Sequence, residues 1–144
     1  MVKEVKEKII NIIIIGTNDF DDYAFFEGKL YEKLEKYFEE DYKIVIREQE
    51  ANATDGFAVK FSKENGCELN KFKIPWELGK RAGFENIKKI IWGEDAKSGA
   101  DLLLAFQSKW DGKESKFWLN KAIEEFKSII DFDDNERKYF IFEK

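Results

Sequence analysis

Residues 8–15 contain Ile9, Ile10 and the unbroken run Ile12 to Ile15, and this stretch restricts the fold more than any other in the chain. A strand with one face in water alternates apolar and polar side chains. This one has no polar face, as expected for the centre of a parallel sheet covered by helices on both sides. The run is far shorter than the roughly 20 apolar residues of a membrane-spanning helix, and it stops at Gly16.

Downstream, the pattern alternates between strand and helix. Asp21 or Asp22 is placed to cap a helix carrying Phe26, Leu30, Leu34 and Tyr37/Phe38 on one stripe, with Gly28 weakening it but not ending it. Lys43 to Arg47 reads as a second strand. Thr54 or Asp55 then caps a helix that carries Phe57, Ala58 and Phe61 and closes at Gly66. Leu69, Phe72 and Ile74 mark a third strand, ended by Pro75, and Trp76 to Arg81 reads as loop or one helical turn. Phe84, Ile87, Ile90 and Ile91 have helical spacing, Asp101 to Phe106 is a strand, Ser115 to Ile130 a helix, and Tyr139 to Phe142 an aromatic last strand after a turn at Asp133 to Asn135. Sustained alternation predicts an α/β fold, a Rossmann-like three-layer sandwich with a mostly parallel five-stranded sheet. No repeat or linker divides residues 1–144, so a single domain is expected.

Composition removes several chemistries. There is no histidine, which excludes Ser-His-Asp and Cys-His catalysis and most zinc sites. The 25 basic and 30 acidic residues are mixed without a basic stripe, so nucleic-acid binding is disfavoured. One cysteine, Cys67, no leader-like segment and no membrane span point to a reducing, cytoplasmic setting.

In an open sheet of this kind, ligands bind beyond the carboxyl ends of the strands, where the strand order reverses. With strands in the order 3-2-1-4-5, the loops flanking that point are Gly16 to Asp22 and Gln107 to Ser115. Helix N-termini there favour an anion such as phosphate. The same loops carry Asp19, Asp21, Asp22, Glu48, Glu50 and Asp55, which repel phosphate unless they cap helices, bind ribose hydroxyls or hold a divalent ion. The sequence assigns no cofactor, and Mg²⁺ is a divalent ion that such acids could recruit.

The stretches GTNDF (Gly16 to Phe20), EANATDGFAVKFSKENG (Glu50 to Gly66) and SGADLLLAF (Ser98 to Phe106) together resemble the SLOG superfamily, and within it the YspA-like, cpYpsA-related proteins. The resemblance spans most of residues 10–126 in order and spacing. It implies a Rossmann-like domain that binds a nucleotide or a nucleotide-derived signal; some relatives cleave a base from a nucleoside monophosphate, and others occur in bacterial and phage conflict systems. Gly16 matches the family's first-loop glycine, Thr17 stands where the family has serine, and Asp55 matches its helix-opening aspartate. Asn18 replaces an arginine, while Gln49, Glu50, Asn52 and Ala53 stand where the family has Gly, Gly, Arg and Gly. Those changes weaken phosphate recognition, because glycine permits close backbone approach and arginine supplies a bidentate fork. Glu114-Ser115 replaces Gly-Thr, keeping a hydroxyl, and Trp118 stands where base-cleaving relatives carry a catalytic glutamate. Asn86 matches a family asparagine, Glu85 replaces an arginine for which Arg81 could substitute, and Trp76 lies where the family also has a tryptophan able to stack on a base.

The first expectation is therefore ligand binding without catalysis, with Gly16, Thr17, Asn18, Asp19, Asn52, Thr54, Asp55 and Ser115 around the ligand and Trp76, Arg81 and Asn86 near it. On ordinary preference Ser115 is also a helix N-cap. A second reading is a protein-interaction or inhibitor module with eroded phosphate loops. A third is a divergent nucleotide hydrolase using Asp19, Glu50 or Asp55 to hold metal or activate water. Trp92 and Trp118 could cover a homo-oligomer interface, Glu124 and Glu125 are expected to face solvent, and Cys67 has no partner that would activate it.

Overall fold

A computed structural model of the chain describes residues 8–17, 20–49, 53–74, 76–93, 99–109, 112–132 and 136–144. Strand β1 (Ile9–Gly16) is followed by helix α1 (Tyr23–Glu39), β2 (Lys43–Glu48), α2 (Ala53–Asn65) and β3 (Glu68–Lys71). A 3-10 turn (Trp76–Leu78) then leads to α3 (Lys80–Trp92), β4 (Leu102–Gln107), α4 (Lys113–Phe132) and β5 (Lys138–Glu143). The sheet has the order β3-β2-β1-β4-β5, and every pairing in it is parallel. The isoleucine-rich strand is indeed the central one.

Alternate residues of β1 enter opposite halves of the core. Ile12 and Ile14 pack with Ile46, Leu104 and Phe106 against α1 and α2, through Phe26, Leu30, Leu34 and Phe61. Ile13 and Ile15 pack with Leu103 and Ala105 against α3 and α4, through Ile87, Ile90, Leu119, Ile123 and Phe126. The result is the three-layer α/β/α sandwich expected from the alternation.

Helix α1 starts where Asp22 accepts the Phe25 N–H at 3.0 Å. It ends as Asp41 turns left-handed, with φ 57°. Gly28 sits on its outer side, where an added Cβ would meet nothing within 4 Å, so the helix tolerates it. We expect Asp22→Ala to cost about 1 kcal/mol in chemical denaturation. A loss below a few tenths of a kcal/mol would mean that the helix start is fixed by packing alone.

Three boundaries differ from the sequence expectation. Helix α2 begins at Ala53, so Thr54 and Asp55 lie inside its first turn and are not its cap. Helix α4 begins at Lys113, and the Lys116 N–H already reaches the Gly112 carbonyl at 3.3 Å, so the cap position belongs to Gly112 and not to Ser115. Strand β3 covers only Glu68–Lys71, leaving Phe72 and Ile74 beyond it. Ile74 is nonetheless buried, which explains its strand-like apolar signal. Pro75 and the turn at residues 133–135 lie outside the described residues.

Candidate functional site

The strand order reverses between β1 and β4, with β2 on one side of β1 and β4 on the other. Thr17, the residue after β1, joins the two loops at that point. Its N–H donates to the Phe106 carbonyl at 3.0 Å, and its hydroxyl accepts the Ser108 N–H at 3.3 Å. The side chain is buried. Phe20 folds back over this junction, its N–H bonded to the Thr17 carbonyl at 3.2 Å and its ring 5.3 Å from that of Phe106.

The N-terminal turn of α2 closes in from the side. Thr54 is fully buried, and a Cβ added to Gly16 would lie 2.1 Å from its Oγ1, 2.3 Å from its Cγ2 and 2.7 Å from its Cβ. Gly16 is needed at this position for a reason visible only in three dimensions: the first turn of α2 rests on the end of β1. Gly16, Thr17 and Thr54, three of the expected site residues, are thus brought together at the point of reversal. Asn18, Asp19 and Asn52 lie outside the described residues, as does Glu50. Asp55 follows Thr54 in the same turn, and Ser115 lies in the first turn of α4.

The acids there are less exposed to an anion than their number implies. Besides capping α1, the Asp22 carboxylate is paired with the Lys144 ammonium. Glu48, read from the sequence as a loop acid, ends β2 and is completely buried. Among the described residues no group of three or more carboxylate or thiol side chains is placed to hold a metal ion.

The remaining expected residues sit elsewhere. Arg81 is 90% exposed and ion-paired with Glu85 at 3.2 Å. Asn86 is buried, and its side-chain amide donates to the Phe72 carbonyl at 2.8 Å, pinning the segment after β3 to α3. Both line a groove of about 580 Å³ together with Lys73, Glu77 and Lys89, whose lining contains none of Gly16, Thr17 and Thr54. Trp76 lies in the 3-10 turn just before α3.

Several placements were not legible in the sequence. Arg47 is buried under the sheet, where its Nη1 donates to the Ile90 carbonyl at 2.8 Å, in the last turn of α3, and so satisfies a helix-end acceptor. Burial pushes its pKa down; the Asp101 charge opposes that shift and the Arg137 charge adds to it. Arg137 is buried as well and donates to the Ala100 carbonyl at 2.6 Å. Glu125, expected in solvent, accepts the Trp92 indole N–H at 2.7 Å. Trp118 groups with Phe84 and Phe117, with ring centroids 5.1 and 5.4 Å away, and Phe117 is 43% exposed.

Burial pushes the Cys67 thiol up to about 11 from an ordinary 9.0. In the folded protein at pH 8 the reactive thiolate should be roughly a hundredfold scarcer than in the unfolded chain, and alkylation correspondingly slower. Equal alkylation rates before and after denaturation would refute this. The unfolded chain releases this proton near pH 9, the folded one only near 11, so the folded state loses stability as pH rises through that window.

No protein-family model matches the chain, and no curated protein matches it. No helix among the described residues is long and apolar enough to cross a membrane.

Proposed function

We propose that this chain binds a nucleotide or nucleotide-derived signal at the crevice between the loops after β1 and β4, without transforming it. The observation that carries this reading is the meeting of Gly16, Thr17 and the first turn of α2 at the reversal of strand order. In an open α/β sheet that is where ligands bind, and the N–H groups and positive dipole end of α2 favour a phosphate there. Capping by Asp22 and burial of Glu48 remove two negative side chains from its path. The SLOG resemblance supports the same ligand class, and Trp118 in place of the catalytic glutamate supports binding without base cleavage.

The test is a thermal-shift screen against AMP, ADP-ribose, NAD, cyclic nucleotides and cyclic dinucleotides, each with and without magnesium. A ligand at about a hundred times its dissociation constant should add roughly 2.7 kcal/mol and raise the melting temperature by several degrees. Magnesium-dependent shifts would make Mg²⁺ part of the site. A flat screen would reject the proposal.

One observation favours a second reading, a protein-interaction module. Phe84, Phe117 and Trp118 form a partly exposed aromatic cluster between α3 and α4. Aromatic residues of this kind are enriched at interfaces. A flat nucleotide screen, together with a partner whose binding is lost in Phe117→Ala, would establish it.

A further inference from the structure

We propose that the chain associates head to tail with a second copy of itself, the groove beside α3 of one copy receiving the outer face of α1 of the next. Charge is divided between the two helix layers. Residues 71–92 hold six lysines and arginines against two glutamates, whereas residues 21–41 hold eight acids against three lysines. The first segment runs from the end of β3 through α3, the second surrounds α1, and the two helices pack on opposite faces of the sheet. Like charges repel when either face meets itself. The favourable contact joins the α3 face of one molecule to the α1 face of another.

Each face carries a groove. Lys73, Leu78 and Lys89 line the one beside α3, of about 580 Å³, and Gly28, Tyr31, Glu35 and Glu39 line one of about 480 Å³ on α1. Leu78 is 73% exposed, more than any other large apolar side chain among the described residues. Gly28 is the opposite feature, a notch in a helix: an added Cβ would meet nothing within 4 Å, and Tyr31 beside it is 42% exposed. Seating Leu78 in that notch covers apolar surface on both copies.

The charges around these features are available. Arg81 is paired with Glu85, and Glu32 with Lys29 and Lys33, so the contact does not draw on them. Among the described residues, Glu35 and Glu39 on α1 and Lys73 and Lys89 in the other groove make no ion pair, nor do Lys80 and Lys88 on α3. Glu77, the remaining acid of that groove, is outnumbered. Unpaired acids on one copy therefore meet unpaired lysines on the other around an apolar centre. Neither groove includes Gly16, Thr17 or Thr54, so this surface is separate from the proposed ligand site. Because the two faces differ, the contact closes into a ring or extends as an open chain.

Sedimentation velocity of the full chain over a range of concentrations tests this. Wild type should sediment faster as its concentration rises, and less so in about 1 M salt, where the screening length falls to about 3 Å. Gly28→Gln fills the notch of the α1 face, and Lys73→Glu with Lys89→Glu reverses the charge of the other. Each variant should be monomeric alone. Gly28→Gln should also raise the melting temperature, since glutamine is the better helix former, which separates lost association from lost folding. Mixed in equal amounts, the two variants should form a one-to-one pair and nothing larger, because one intact α3 face then meets one intact α1 face. The proposal is overturned by a wild type that is monomeric at every concentration, by either variant associating as tightly as wild type, or by a mixture that forms no such pair. A monomeric wild type that binds polyglutamate through Lys73 and Lys89 would assign the groove to a foreign acidic partner instead.

Discussion

Replacing Phe106 by alanine is expected to remove about 3–5 kcal/mol of stability, a large part of the margin of an ordinary domain. The ring is completely buried at the carboxyl end of β4. It lies 4.8 Å from Phe26 of α1, 5.3 Å from Phe20 of the loop after β1 and 5.2 Å from Phe142 of β5. It therefore joins three separate parts of the chain, and neither strand nor helix can move to fill the cavity without breaking its own hydrogen bonds. The melting temperature should fall by roughly ten to twenty degrees. Phe106→Leu, which keeps most of the volume, should lose far less. A loss below about 1 kcal/mol for the alanine variant would show that the layer between α1 and the sheet is loosely packed.

Gly16→Ala is expected to be the next most damaging change, at about 1–3 kcal/mol or more, by overpacking. The added methyl meets Thr54 at three atoms, the farthest at 2.7 Å, so rotating the threonine side chain cannot clear it. Thr54→Gly removes all three side-chain atoms at the cost of a glycine in a first helical turn, up to about 1 kcal/mol. In the double variant the two changes should compensate, with a coupling energy of about 0.5–3 kcal/mol in a double-mutant cycle. Strict additivity would refute the contact between β1 and α2. The double variant also separates fold from ligand: if it regains stability yet no longer shifts with a nucleotide that stabilises wild type, Gly16 or Thr54 serves the ligand as well as the fold.

Several features of the SLOG resemblance fall at this junction, and the geometry explains why they are hard to interpret from sequence. A glycine after a central strand signals close approach, without stating what approaches. In the described structure the approaching group is Thr54 of the same chain. Asn86, read as matching a family asparagine, and Arg81, read as a substitute cation, lie on α3 beside a different groove, the arginine paired with Glu85 at the surface and the asparagine fixed to the Phe72 carbonyl.

The sequence by itself determined the central position of β1, the α/β alternation and the amphipathic stripes of α1 and α4, while the strand order was only assumed from the usual order of such sheets and is established by the structure. Burial along a single element leaves a direct periodic trace: Ile12 to Ile15 are apolar on both faces because both faces are covered, and Phe26, Leu30 and Leu34 recur at helical spacing because one face is. Only the tertiary structure decided that Thr54 rests on Gly16, that Arg47 reaches the end of α3, that Glu48 is buried and that Glu125 receives the Trp92 indole. Each of these depends on residues far apart in the chain being brought together by a crossover, and a polar side chain has the same local pattern whether its partner is water or a distant carbonyl. The helix starts belong with them: Thr54 and Ser115 have the chemistry of caps, but the backbone turned helical before reaching either one.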